Sequence, residues 1–303
     1  MIPKRVLITG GSGLIGSRLT GLLLSKGIEV VHLGRRERKG QIPVFTWDIE
    51  KGLFDLRALA GVDAIVHLAG AGIADKPWTA RRKQEILESR TQSTALLHKT
   101  LRDNPHQVTT VVCASAIGYY GFGGSEETFE ESSRPGKDFL AEVVKAWEAE
   151  AEKISELGIR LVKIRIGIVL SAEGGALKEM AKPVKWNVGA PLGKGTQMMS
   201  WIHIDDLCRM FLFALENQAI DGVYNGVSPE PVSNRELTYA VAAALGKKIW
   251  LPPVPGFALK LLLGEMADLV LKGSRVSAKK IISAGFDFRF KDIEAAVKDL
   301  LRS

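Results

Sequence analysis

Thr9-Gly10-Gly11-Ser12-Gly13-Leu14-Ile15-Gly16 is the stretch that decides the fold. It follows Arg5-Val6-Leu7-Ile8, an apolar run that reads as a buried strand. It precedes residues 14–25, where Leu14, Ile15, Leu19, Leu22 and Leu23 recur at helical spacing. A glycine pattern between a strand and a helix is the context of a phosphate site. The first glycine permits a tight turn, since a residue without Cβ tolerates positive φ. The middle one lets the backbone approach a pyrophosphate, and Gly16 lets the helix pack on the strand. The helix N-terminus then offers N–H groups and a partial positive charge.

Ile28 to Leu33 reads as the second strand. In NAD-binding units an acid about 20 residues past the glycines takes the ribose 2′-hydroxyl. Here the place reads Gly34-Arg35-Arg36-Glu37-Arg38-Lys39. Arginine pairs with a 2′-phosphate that an acid would repel. Arg35 and Arg36 therefore point to NADP(H), and Glu37 is the residue that speaks against it. Val44 to Trp47 is a third strand, ending at Asp48, which is either an acceptor for the adenine amino group or a turn residue.

The alternation continues. Ala64 to Leu68 is an apolar strand of the kind buried on both faces, running into Ala69-Gly70-Ala71-Gly72. His67 within it reads as a core histidine. Residues 79–102 form a long helical pattern and Val108 to Ala114 a fifth strand, followed by Ser115-Ala116-Ile117-Gly118-Tyr119-Tyr120-Gly121. The polar, glycine-rich loop 122–137 faces the substrate on this reading. A helix over 138–157 and a strand over 160–168 complete a pattern that predicts a doubly wound α/β fold with a parallel sheet and right-handed crossovers. Gly222 to Asn225 reads as one more strand. Ser233 with Glu236 opens a helix as a capping box. Pro252 to Pro255 precedes two apolar helical stretches, 257–271 and 293–301. The division expected is a Rossmann domain over 1–225 and a smaller, mostly helical C-terminal substrate domain over 226–303.

Length and composition set the class. The chain has 303 residues, 46% hydrophobic and 25% charged, with a net charge of +7, ordinary for a globular protein with a large core. The basic residues are scattered among acids, unlike a nucleic-acid module. No apolar run spans a bilayer and no signal peptide is evident, which places the chain in the cytoplasm. Cys113 and Cys208 follow no metal or disulfide spacing and read as reduced, buried thiols. No metal site is expected.

Several stretches carry a resemblance: TGGSGLIG at Thr9, HLAG at His67, Ser89-Arg90, SAIGYYG at Ser115, DFLAEVVKAWE at Asp138, RIGIVL at Arg165 and WIHIDDL at Trp201. The chain resembles the extended short-chain dehydrogenase/reductases, the NAD(P)-dependent epimerase/dehydratase superfamily. It is most similar to an atypical, epimerase-like branch with a small appended domain, which GFDF at Gly285 fits. The resemblance implies that Gly10, Gly13, Leu14, Ile15 and Gly16 hold the pyrophosphate. It places Gly34 and Arg35 at the adenosine ribose and Leu68, Ala69 and Ile168 at the nicotinamide. Glu85 and Arg90 reach the cofactor from the long helix. A homodimer through the helices at Thr79 and Asp138 is a fold-level analogy.

One departure matters. Family members acting on carbohydrate hydroxyls use a Tyr-x-x-x-Lys pair on the helix after the fifth strand. Residues four apart share a helix face, so the lysine lowers the tyrosine pKa and frees it to act as a base. With Glu148 aligned to the acid that follows the pair, Leu140 and Val144 stand in those places. Ser115 lies near the usual serine, with Ala116 one residue on. Tyr120 is then the candidate proton carrier, or a packing residue, and Ser115 its partner. Lys145, Lys163, Arg165 and His203 are other candidate cations or proton carriers. Two functions follow: an NADP(H)-dependent oxidoreductase or epimerase-like enzyme for a small hydroxyl or carbonyl compound such as a nucleotide sugar, or a non-catalytic NADPH-binding sensor or partner-binding protein.

Overall fold

The computed structural model describes residues 2–123 and 127–302. Residues 124–126 of the glycine-rich loop expected to face the substrate lie outside the described residues. The strands are β1 (Arg5–Thr9), β2 (Glu29–Gly34), β3 (Val44–Asp48), β4 (Leu53–Phe54), β5 (Ala64–His67), β6 (Thr110–Ala116), β7 (Thr128–Phe129), β8 (Arg160–Ile166), β9 (Ile168–Leu170), β10 (Met198–Met199), β11 (Trp201–His203), β12 (Gly222–Gly226), β13 (Val232–Ser233) and β14 (Arg275–Val276). The helices are α1 (Leu14–Ser25), α2 (Ala80–Asp103), α3 (Phe139–Glu152), α4 (Gly175–Lys185), α5 (Ile204–Glu216), α6 (Asn234–Ala244), α7 (Gly256–Leu263), α8 (Asp268–Leu271), α9 (Lys279–Ser283) and α10 (Ile293–Arg302).

One sheet runs in the order β12-β8-β6-β5-β1-β2-β3-β4. Its pairs are parallel except β3 with β4. The chain first builds outward from β1 to β3 and then returns to build from β5 to β12. The order therefore reverses between β1 and β5, and open α/β sheets bind ligands at such a point, beyond the carboxyl ends of the strands. The glycine turn and the HLAG segment leave the sheet there.

Strand alternation divides the core between the two faces. Val6, Ile8, Val30, Val66 and Val112 join Leu19 and Leu23 of α1 and Phe211 of α5 on one face. Leu7, Val31, Ile65 and Val111 join Leu97 and Leu101 of α2 on the other. Thr79, Asp138 and Ser233 cap α2, α3 and α6 with their side chains, the last with the expected reciprocal bond to Glu236.

Two expected elements are divided. The strand expected over 160–168 breaks at Gly167. The Gly167 N–H still donates to Gly226, at 3.0 Å, but the Ile168 N–H turns to Ser200, at 2.8 Å. A Cβ at Gly167 would collide with the Ser200 carbonyl, so glycine lets the chain change partners there. The helix expected over 257–271 ends early at Leu263, because Gly264 takes φ +59°. A 3-10 turn and α8 follow.

The WIHIDDL motif is built into the fold. The Trp201 indole N–H donates to the Glu230 carbonyl at 2.9 Å, and the Asp205 N–H donates to His203 Nδ1 at 3.0 Å. Asp206, fully buried, accepts from the Arg289 and Phe290 N–H groups at 2.9 and 2.7 Å. Trp201 and His203 thus act as staples, and Asp206 fastens the C-terminal GFDFRF segment. Among the described residues no helix is long and apolar enough to cross a membrane.

Candidate functional site

The glycine turn has the tightness a phosphate cradle needs. Gly10 takes φ +69°, and a Cβ there would lie 3.0 Å from the backbone of Leu68. A Cβ at Gly16 would lie 2.5 Å from the Gly10 carbonyl oxygen, so only glycine lets α1 close on the turn. The Gly13 N–H donates to Gly10 at 3.0 Å. No side chain caps α1, which leaves its first-turn N–H groups, those of Leu14, Ile15 and Gly16, for an anion.

The next strand ends are locked to this turn. His67 is fully buried between Thr9 Oγ1 at 2.8 Å and Thr94 Oγ1 at 3.0 Å. The N–H groups of Leu68 and Ala69 donate to the same Thr9 oxygen. Burial pushes the His67 pKa down to about 4, so this is the neutral core histidine the sequence suggested.

Gly34 closes β2, and a Cβ on it would lie 3.0 Å from Val44. Arg35 and Arg36 are exposed, and neither has an ion pair among the described residues. Glu37, the acid that spoke against a 2′-phosphate, lies 3.3 Å from Arg57 Nη2. Asp48 makes a turn contact: its Oδ1 accepts from the Lys51 N–H at 3.0 Å.

Helix α2 contributes two residues of different character. Arg90 donates to the Ile86 carbonyl at 3.0 Å and lies over the Trp147 ring at 5.3 Å. A Cβ on Gly70 would lie 3.3 Å from the Arg90 guanidinium carbon. Arg90 has no carboxylate partner among the described residues, and burial, with Arg82 nearby, pushes its pKa down to about 10. A cation so placed fits a bound anion beside the HLAG loop. Glu85 is placed otherwise. Its carboxylate pairs with Arg82 at 2.7 Å, and Arg82 also donates to the Gly72 carbonyl. It therefore acts on the loop through Arg82.

A buried polar network lies around the end of β6 and β8. Ser115 donates to Glu148 Oε1 at 2.5 Å. Arg165 Nε and Nη2 reach the two Glu148 oxygens, each at 2.8 Å. Arg165 Nη1 also donates to the Tyr120 hydroxyl oxygen at 3.0 Å, and that hydroxyl donates to Asn225 Oδ1 at 2.7 Å. The Tyr119 ring lies under Arg165, 3.4 Å from its guanidinium carbon. Glu131 accepts from the Asn225 N–H at 2.8 Å.

This network gives Ser115 and Tyr120, read as catalytic candidates, a structural role. Both are buried, at 3% exposure each, and both hydroxyls are engaged inside the protein. Burial pushes the Tyr120 hydroxyl up to about 12 against the opposing pull of Arg165, away from the range of a base working near neutral pH. Side chains alternate along β6, so Ala116, not Ser115, takes the opposite orientation at the strand end. Leu140 and Val144 lie against the same turn: a Cβ on Gly118 would lie 3.4 Å from Leu140 Cβ and 3.8 Å from Val144 Cγ2. An apolar surface thus stands where the Tyr-Lys pair was sought. Ile168 opens β9, paired with Trp201. Asn225 and Glu131 were not anticipated, because their partners lie 105 and 94 residues away.

A cleft of about 870 Å³ lies between the segment at Phe122 and Gly123, the loop at 193–198 and helices α7 and α8. The glycine cradle, the arginines after β2 and Arg90 together fit a phosphorylated dinucleotide, and the cleft is of a size that suits a small molecule.

Comparison with known proteins agrees with this geometry. The model of the NAD dependent epimerase/dehydratase family matches residues 6–225, and a domain of unknown function (DUF1731) matches residues 254–300. The epimerase family protein YfhF of Bacillus subtilis is 36% identical over 298 residues, covering 98% of this chain and 97% of that protein. The chloroplastic SDR39U1 homolog of Arabidopsis thaliana is 37% identical over 307 residues, covering 98% and 86%. The solved structure of human epimerase family protein SDR39U1 (isoform2) with NADPH is 32% identical, with a TM-score of 0.88 and coverage of 99% of both chains.

Proposed function

The chain belongs to the NAD dependent epimerase/dehydratase family, and from that premise we propose that it is an NADP(H)-dependent oxidoreductase or epimerase-like protein acting on a small hydroxyl or carbonyl compound. The observation that carries the reading is the conjunction of an uncapped α1 behind a glycine turn with two arginines that no carboxylate neutralises among the described residues. The human relative solved with NADPH supports the same cofactor.

In this reading Gly10, Gly13, Leu14, Ile15 and Gly16 hold the pyrophosphate. Gly34, Arg35 and Arg36 take the adenosine ribose and its 2′-phosphate, with guanidinium-phosphate contacts of the bidentate kind. Leu68, Ala69 and Ile168 flank the nicotinamide. Arg90 adds positive charge, and Glu85 steadies the Gly72 loop through Arg82. When bound, the cofactor supplies or accepts a hydride. Leu140 and Val144 keep the neighbouring wall apolar and dry. Residues 1–225 bind the cofactor, and residues 226–303 contribute to the substrate cleft.

One observation favours the second reading, an NADPH-binding sensor or partner-binding protein without turnover. Leu140 and Val144 cannot perform the acid–base work of the Tyr-Lys pair. NADPH oxidation against a panel of carbonyl compounds separates the two. Turnover supports the enzyme, and tight NADPH binding with no turnover on any compound supports the sensor. Failure to bind NADPH removes both.

A further inference from the structure

We propose that the 870 Å³ cleft beside α7 takes an amphipathic organic anion: an extended apolar body with a single carboxylate or phosphate head. The inference rests on reading this cleft as the substrate's and gives its occupant a chemistry. The lining combines two kinds of residue. Phe122, Met198, Phe257 and Leu271 are apolar, whereas Lys194, Lys260 and Lys272 are cationic. Among the described residues Asp268 is the only carboxylate in the lining, and it pairs with Lys272 at 2.8 Å. Lys194 and Lys260 therefore face the cleft without an ion pair among the described residues, an excess of positive charge that an anionic head would offset.

A sugar is poorly served by the same lining. Recognition of several hydroxyls needs a matching set of free donors and acceptors, because a buried hydroxyl without a partner is costly. Among the described residues, apart from the charged groups, only Thr196 and Gln197 offer polar side chains. The Gln197 amide nitrogen already donates to the carbonyls of Leu192 and Val270, at 3.0 and 2.7 Å.

The apolar surface continues beyond the cleft. Phe257, Leu261 and Leu262 on α7 are 77%, 89% and 80% exposed. Phe257 and Leu261 are four residues apart and share a helix face. Phe257 also lines the cleft, so an apolar strip runs outward from it along α7. An elongated hydrocarbon body would cover that strip while its head met Lys194 and Lys260.

The test uses the full chain and 11-(dansylamino)undecanoate as a fluorescent probe. Saturable binding is expected, with displacement by dodecanoate or dodecyl phosphate; the stronger of the two identifies the head. Dodecanol should compete about tenfold less well or worse, as should the probe on the Lys194→Ala/Lys260→Ala variant, the loss of one charge-assisted contact. NADPH binding should be unchanged in that variant. Displacement by UDP-glucose but by neither dodecyl compound overturns the inference, as does equal probe binding in the double variant. A chain that binds NADPH but not the probe refutes this inference alone. Probe binding without NADPH binding refutes the proposed function and leaves the cleft chemistry standing.

Discussion

Arg165 grips Glu148 through two nitrogens, Nε and Nη2, each 2.8 Å from a different carboxylate oxygen, with the side chains 3% and 10% exposed. The pair joins the end of β8 to α3 beside the positions where the family's Tyr-x-x-x-Lys pair was sought. It also orients Ser115 and Tyr120, the two hydroxyls read as catalytic candidates.

Removing one partner leaves a buried charge without compensation. Arg165→Met should therefore cost about 3–5 kcal/mol of stability, read by urea denaturation. The double variant Arg165→Met/Glu148→Leu should recover most of that loss. Equal losses in the single and double variants would mean that the pair does not act as a unit.

Tyr120→Phe should leave NADPH affinity and any turnover almost unchanged. Its cost should appear in stability, about 1–2 kcal/mol, because Arg165 and Asn225 lose a buried hydrogen-bond partner. The hydroxyl is pushed up to about 12, so it should give no limb to a pH–rate profile near neutrality. A raised folded pKa also means that this hydroxyl's stabilising effect holds below about pH 10 and is lost only as pH rises through the folded value. Loss of turnover with stability intact would restore Tyr120 as the proton carrier.

His67 makes the fold acid-sensitive. Its folded pKa lies near 4, below the ordinary histidine value near 6.5. The contribution is therefore present above about pH 6.5 and is lost as pH falls toward 4, by up to about 3 kcal/mol. Denaturation of the wild type and His67→Gln at pH 7.5 and at pH 4.5 measures it. The wild type should lose more stability than the variant between these conditions. Parallel losses would place the sensitivity elsewhere.

Glu37→Gln tests the reading of the turn after β2. Glu37 lies against Arg57, not against a 2′-phosphate, so the substitution should change the preference between NADPH and NADH by less than about twofold, well under a charge-assisted contact. A marked gain for NADPH would show that Glu37 faces the cofactor.

What the sequence disclosed was what local chemistry decides. Gly10 and Gly16 were legible because a positive φ and a close approach leave no other residue room, and α1 followed from its apolar spacing. His67 was legible because a histidine in an apolar strand needs buried partners. The structural ties of Ser115 and Tyr120 were not legible, for the opposite reason. Their partners, Glu148 and Asn225, lie 33 and 105 residues away, and no local pattern records which hydroxyl a distant side chain will take. Gly167 posed the same difficulty: only the folded position of Ser200 reveals why the strand must break there. The cleft, assembled from segments far apart in the chain, left no local signature.

The central claim is that the glycine cradle and the arginines after β2 select a 2′-phosphorylated dinucleotide. Fluorescence titration of the wild type and of Arg35→Ala/Arg36→Ala with NADPH and with NADH tests it directly. The wild type should bind NADPH the more tightly. The variant should lose about tenfold or more of its NADPH affinity, the cost of a charge-assisted phosphate contact, with little change for NADH. Equal losses for both cofactors, or no binding of either by the wild type, would contradict it.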